Sequence, residues 1–436
     1  MVSGLGSVLR FLPIQSMKGA TQAALAGMAY DLLYGLQANV WKWRNGVDSW
    51  EAMQEAWRGH LSAMDLQLPP APEVLDPIRV LCDNAEAFDV RTELYEKATE
   101  TIDLATYCIY ADATGWRTVE ELSARARAGV RVRVVLDDGV CTRKTAEDAS
   151  YTKILDTLTA AGIQVIRYRD PVRPLEMNHR KLLIVDAKTA VIGGRNYGDY
   201  YSGPKWRDLD LVLTGEVAAR CGETFDALCA YHAGTAPLPV PTPYASLADG
   251  IGRCAEHRSG LLQVNPVLLW QLACLDAAQE EVVIENAYII VHDVLLERVK
   301  AAVERGVRVR LFTNSPASND VKTIAYGFFS RLVRLAEAGA EIHLRQGAGR
   351  TVHSKYMVTD RRLVSVGSYN LNAHSARLAA ECNVQLDHPD VAEELRTYFE
   401  SGIEGATPIT SADQMRQLVP NDPISRMVDS YLHDCQ

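Results

Sequence analysis

The sequence predicts an α/β protein of two similar lobes, each a mixed β-sheet flanked by helices, with one site at the pseudo-twofold interface between them. Three observations lead there. Residues 101–136 and 281–312 each read as strand, helix, strand. The string Gly-Val-Arg-Val-Arg opens the second strand of both, at 129–133 and at 306–310. In each half an apolar strand then follows a His-x-Lys sequence, at His179 and at His353.

Taken in order, residues 1–75 read as a helical segment running into a linker. Met17, Leu25, Met28, Leu32, Leu33 and Leu36 recur at roughly helical spacing. Trp41, Trp43, Trp50 and Trp57 follow, mixed with Lys42, Arg44 and Arg58. Two readings stand for that cluster: an interfacial membrane contact, or packing onto the main body, where tryptophans usually end up. Pro69, Pro70 and Pro72 mark the linker. The first lobe is expected over 76–235, with strand Thr101–Tyr110, helix Val119–Ala128 and strand Gly129–Leu136. A Pro-rich break spans 236–250. The second lobe, 251–405, opens with an apolar stretch, Leu261–Leu275, which reads as a buried helix. Strand Glu281–Tyr288, helix Val294–Arg305 and strand Gly306–Phe312 follow, and 406–436 reads as a tail.

Composition sets outer bounds. With 436 residues, 47% of them apolar and 23% charged, there is material for a large core without metals or disulfides. Nine cysteines, none in a C-x-x-C pair, suit a reducing compartment. The formal net charge of −10 weighs against a polyanionic partner such as nucleic acid. Met1–Lys18 lacks the basic and apolar regions of a secretory signal, and Gly19–Tyr30 is too short to span a bilayer. A membrane substrate is therefore expected to be met at the surface.

The chemistry lies in two matching motifs. Residues 178–196 and 352–370 both fit H-x-K-x4-D-x6-G-[GS]-x-N, with His179, Lys181, Asp186 and Asn196 in the first and His353, Lys355, Asp360 and Asn370 in the second. The apolar run after each Lys places the motif on a strand, where residues two apart share a face. Glycine in the turn allows close backbone approach, so that the Asn amide returns toward the His. Two lobes face to face bring together two imidazoles, two ammonium groups and two amides. A phosphodiester calls for this set: a neutral nucleophile, a proton donor for the leaving oxygen, and donors for the phosphoryl oxygens. One such motif alone is weak; two at identical spacing within a repeat are not chance. A zinc site fits poorly, because clustered Cys is missing and the lysines repel a cation. No metal or cofactor is expected.

At these residues the chain resembles the phospholipase D superfamily over about 76–400, and within it the bacterial cardiolipin synthases, particularly the C type. The strings NHRKLLIVDAKTAVIGGRNYGDYY, WRDLDLVLTG, FTNSPASNDV and VGSYNLNAHSARLAAECNVQLD carry the resemblance. Where that group often has Tyr-Trp-Asn, this chain reads Ala230-Tyr231-His232-Ala233. The resemblance implies a phosphohistidine mechanism, with His179 as nucleophile and His353 as general acid. It implies carboxylates that orient the imidazoles, by position Asp208 for His179 and Glu381 for His353, the latter held as imidazolium. Asp186 and Asp360 are structural on the same ground. Lys181, Lys355, Asn196 and Asn370 are left to bind the phosphate.

Phospholipid substrates, reached peripherally at the cytoplasmic face of a bacterial inner membrane, are also implied. Transfer between lipids is the leading expectation, and hydrolysis of a phospholipid or other phosphodiester is the alternative. A non-catalytic binding module is disfavoured by two intact motifs. Tyr110, Asp112, Tyr288 and Asn314 end core strands near the mouth and are further lining candidates, or ordinary polar strand ends. Tyr197, Tyr200, Tyr201, Tyr326, Phe328 and Phe329 are candidate apolar walls, or core.

Overall fold

The computed structural model describes residues 50–72, 75–147, 149–169, 176–258, 264–290, 292–321 and 325–421. The expected helical positions from Met17 to Leu36, Trp41 and Trp43, and the side chain of Tyr326 lie outside the described residues. So does the start of the apolar stretch, Leu261–Gln263.

The first half supplies β1 (Arg79–Leu81), β2 (Thr101–Thr106), β3 (Arg131–Asp137), β4 (Gln164–Tyr168), β5 (Met177–Asn178), β6 (Leu182–Val185), β7 (Thr189–Gly193) and β8 (Asp210–Leu213). The second supplies β9 (Arg253–His257), β10 (Glu281–Asn286), β11 (Arg308–Asn314), β12 (Glu341–Arg345), β13 (Lys355–Thr359), β14 (Leu363–Gly367), β15 (Ala379–Asp387) and β16 (Thr407–Ile409). The order β8-β7-β6-β2-β3-β4 in one sheet recurs as β15-β14-β13-β10-β11-β12 in the other. In both, the first three strands of the repeat are parallel and the motif strand returns antiparallel: β6 against β2, and β13 against β10. The expected duplicated α/β architecture with mixed sheets is what forms.

The repeated Gly-Val-Arg-Val-Arg string has a packing reason. Its valines point into apolar clusters, and its second arginine emerges on the opposite face beneath a helix. Arg133 meets Asp103 and, from helix Gly215–His232, Asp226, each at 2.6 Å. Arg310 meets Glu400 of helix Pro389–Ile403 at 3.1 Å. Those two helices and the facing strands of both sheets form one shared core, including Phe225, Leu228, Tyr356, Val358, Leu395 and Phe399.

Several boundaries differ from expectation. Helix Ala113–Arg127 begins six residues before Val119, because Asp112 caps it by accepting from the Gly115 N–H at 3.0 Å. The segment after 405 is not all tail. β16 pairs antiparallel with β12, and helix Ala412–Arg416 packs against helix Ala325–Glu337, so the second lobe continues beyond the expected limit. Helix Trp50–Ala63 belongs to the second lobe, although it precedes the first. Trp57 is wholly buried against helices Pro266–Ala277 and Asp293–Glu304, and Arg58 reaches Glu297 at 2.7 Å. For Trp50 and Trp57, packing onto the body is the observed role. The described cysteines form no disulfide.

Candidate active site

His179 and His353 stand on the extended lead-ins to β6 and β13, just ahead of the strands rather than within them. Each lead-in is built into the opposite lobe. β5 runs parallel to β15 of the second sheet, and the His179 N–H donates to the Ala380 carbonyl at 2.8 Å. Reciprocally, Arg207 N–H donates to Thr351 O at 2.8 Å, and His353 N–H donates to Arg207 O at 2.7 Å.

This exchange corrects the expected pairing of imidazole and carboxylate. His179 Nδ1 lies 3.0 Å from both oxygens of Glu381, and His353 Nδ1 lies 2.7 Å from Asp208 Oδ2. Each histidine is held by the other lobe's carboxylate. Asp208 cannot hold His179, because the Arg207–Asp208 backbone is sewn to 351–353 and carries its side chain to His353.

The second position of G-[GS]-x-N makes room for these carboxylates. A Cβ on Gly194 would sit 2.1 Å from Asp208 Oδ1, so only glycine fits. In the other lobe Ser368 Oγ donates to Glu381 Oε2 at 2.5 Å, and Ser375 Oγ donates to Oε1 at 2.7 Å. Gly367 is forced as well: its Cβ would stand 2.2 Å from Cys382 O.

Both lysines are buried, and each turns back on its own motif. Lys181 Nζ donates to His179 O at 2.6 Å, and Lys355 Nζ donates to His353 O. The two amides are not equivalent. Asn196 is engaged, donating to Tyr201 Oη at 2.8 Å and accepting from Thr106 Oγ1 at 3.2 Å. The Asn370 side chain is buried, and its amide oxygen has no partner among the described residues.

Burial dominates the electrostatics. It pushes His179 down to about 4, with Lys181 and Lys355 adding to the fall and Glu381 opposing it. It pushes His353 down to about 3, helped by both lysines and opposed by Asp208. Against the expected imidazolium at His353, burial favours the neutral form of both rings. Burial also lowers Lys181 to about 7 and Lys355 to about 8, with the two carboxylates resisting. For Asp208 and Glu381 burial works upward, but the partner histidine and nearby cations outweigh it and keep both carboxylates low. The site thus gathers two carboxylates, two ammonium groups and two imidazoles whose burial disfavours charge.

Asp186 and Asp360 lie outside this group. Each sits in a tight turn at positive φ, 53° and 49°. Asp186 accepts the N–H groups of Thr99, Glu100 and Thr101, and Asp360 those of Gln279, Glu280 and Glu281. Their work is to tie the hairpin that carries each motif to the start of β2 or β10.

A family model described as "Cardiolipin synthase, PLD-like domain" matches residues 92–227 and 272–403, one segment in each lobe. The chain belongs to the phospholipase D-like family. Among curated proteins it is 29% identical over 349 residues to the cardiolipin synthase of Geobacillus sp. (strain WCH70), covering 76% of this chain and 67% of that protein. It is 28% identical over 350 residues to cardiolipin synthase 2 of Bacillus anthracis, covering 76% and 65%. The chain thus spans about two thirds of the length of these relatives. In fold it is similar to the phosphatidylserine synthase of Haemophilus influenzae Rd KW20 (TM-score 0.62, 16% identity, 87% of this chain and 97% of that one). Polyphosphate kinase from Porphyromonas gingivalis is a more distant likeness in fold (TM-score 0.55, 11% identity, 84% and 56%).

In this phospholipase D-like site the aromatic walls differ from those expected. Tyr201 lies against His353 at 5.4 Å between ring centroids, but Tyr197, Phe328 and Phe329 are core. Tyr200 is exposed and leans on Trp206. Of the strand-end candidates, Asp112 is a helix cap, and Asn314 clamps the lead-in through Val352 N–H and O. Tyr288 donates to Asp320, and Tyr110 packs on Tyr201. Residue reading missed Trp206, whose ring lies 5.2 Å from His353, Tyr107, 5.7 Å from His179, and the anchors Ser368 and Ser375. Ser368, two residues before Asn370, was visible only as the variable [GS] position, and Trp206 only as two residues ahead of Asp208.

Proposed function

We propose that this chain is a phosphatidyltransferase that moves a phosphatidyl group between phospholipids through a phosphohistidine, as a cardiolipin synthase does. The observation that carries the reading is the pair of imidazoles, each bound to a carboxylate at Nδ1. A proton donated from Nδ1 leaves the Nε2 lone pair for chemistry. His179 keeps 15% of its side chain exposed against 6% for His353, which supports His179 as the attacking group.

In the first step His179 Nε2 bonds to phosphorus as the P–O bond to the departing alcohol breaks, and His353 passes its proton to that oxygen. In the second, His353 takes the proton of the acceptor hydroxyl, the new P–O bond forms and the P–N bond breaks. The proton that His353 needs is favoured by the substrate's own negative charge, which offsets the depressing effect of the lysines. Lys181, Lys355 and the amide N–H groups of Asn370 serve the non-bridging oxygens; Asn196 joins them once released from Tyr201. The burial of Lys181, Lys355 and His353 fits a site where such charges act with little screening.

Access from a membrane surface on the cytoplasmic side belongs to the same proposal and rests on the likeness to cardiolipin synthases. Among the described residues no helix is long and apolar enough to cross a membrane.

Product analysis tests transfer against hydrolysis. In vesicles of phosphatidylglycerol, diphosphatidyl product should exceed phosphatidic acid at early times, and excess glycerol should drive the reaction back. Phosphatidic acid as sole product, indifferent to any alcohol, would make the protein a hydrolase.

A further inference from the structure

A cavity of about 760 Å³ opens on the seam between the lobes, beside the histidines but apart from them. Its walls include Trp206, Arg207, Arg345, Arg350, Tyr398 and Asp83. Arg345 ends β12, three strands across from Lys355, which starts β13. Both lie at the same end of the second sheet. Arg350 is three residues before His353, about 10 Å of extended chain.

The charges on this wall do not balance. Arg207 is paired, to Glu285 at 2.8 Å. Asp83 is occupied as the N-cap of helix Asn84–Lys97, accepting from Glu86 N–H at 2.9 Å. Arg345 is half-buried, and among the described residues it meets only carbonyls, Arg350 O at 2.8 Å and Lys205 O at 3.4 Å. Burial, with Arg207 and Arg350 adding to the fall and Glu285 opposing it, pushes its guanidinium down to about 10. Arg350 is exposed and forms no ion pair among the described residues. Two guanidinium groups with no ion-pair partner among the described residues thus face a roomy, mostly polar cavity, where planar bidentate donors suit phosphate.

The cavity is also wired to the chemistry. Trp206 forms part of its wall and packs on His353. Arg207 is bonded through its backbone to Thr351 and His353, and the next residue, Asp208, holds the His353 ring.

We propose that this cavity is a second phosphate site, distinct from the reacting centre, with Arg345 and Arg350 as its principal ligands. Its occupant is a phosphoryl anion, borne by an acceptor lipid's headgroup or free in solution. The headgroup form rests on the transfer reading above and would place an acceptor with its own phosphate beside His353.

Equilibrium dialysis of the full-length chain against labelled inorganic phosphate tests the site whether or not transfer occurs. Wild type should bind phosphate at two sites, and Arg350→Gln, which removes no bond to the described residues, at one. Arg345→Gln should act in the same direction. With phosphatidylglycerol as donor, the ratio of diphosphatidyl product to labelled-glycerol exchange reports the source. A fall of about tenfold in that ratio in Arg350→Gln, the loss expected for one charge-assisted bond, assigns the site to the headgroup. Loss of the second phosphate with an unchanged ratio assigns it to free phosphate. A single phosphate site in wild type, unaltered in both variants, with an unchanged ratio, overturns the proposal.

Discussion

His179 rests on Glu381 and His353 on Asp208, so each imidazole is oriented from the other half of the chain. The sequence order suggests the opposite, since Asp208 follows His179 and Glu381 follows His353 within their own repeats. The crossing has a consequence for mutants. Asp208→Asn should behave like His353→Ala: turnover falls by several orders of magnitude, but a substrate whose leaving group needs no protonation still labels His179. Glu381→Gln should behave like His179→Ala and give little adduct. Adduct mapping by mass spectrometry under acid-free conditions checks this. Strong labelling in Glu381→Gln with none in Asp208→Asn would mean that the nucleophile and acid roles are exchanged. Unimpaired turnover in both would remove the carboxylates from the mechanism.

At the scale of the element, the motif hairpins owe their position to the aspartates that end H-x-K-x4-D. Burial alone would raise Asp186, but the N–H groups of Thr101, Thr99 and Glu100 hold it down at about 2. Its folded value thus lies below the ordinary carboxylate range, so its stabilisation is present above about pH 4 and is lost as pH falls toward 2. Asp186→Asn should lower Tm at pH 6 by several degrees, and the gap from wild type should close as pH falls toward 2. Thermal melts across that range check the sign; a gap that widens in acid would refute it. Residual turnover of the folded variant should stay close to wild type, because Asp186 touches none of the reacting groups.

For the molecule as a whole, the seam is held by buried charge. Arg207 reaches Glu285 of β10 from the first half, and Arg180 reaches Glu256 of β9. Glu285 also accepts from Ser354 and Tyr356, which flank Lys355. Removing one partner of a buried pair leaves the other uncompensated, at a cost of about 3–5 kcal/mol. Glu285→Gln should therefore lower Tm well beyond a surface substitution and reduce kcat with it, since Arg207 and Ser354 both adjoin His353. Calorimetry beside a transfer assay checks this; a neutral effect on both would show that the seam does not rely on this pair.

The sequence by itself determined the duplication, the α/β class and the motif residues, because these depend on local periodicity and on spacing within one repeat. His179, Lys181, His353 and Lys355 were all legible in that way, as was the glycine at 193 and 367. What only the tertiary structure decided depends on which backbone lies beside which. The carboxylate partners crossed because the lead-ins at 177–179 and 351–353 pair with the opposite lobe. The place of Trp206 beside His353, and of Ser368 and Ser375 on Glu381, came only with the folded chain. The downward push on both imidazole pKa values likewise follows from burial and from two lysines brought together from distant positions. Helix Trp50–Ala63 joined the second lobe rather than the adjacent first one, because the apolar surface that covers Trp57 is formed by helices more than 200 residues later. Spacing along a chain specifies which side chains share a strand face; long-range packing alone specifies which strands, charges and cavities they meet.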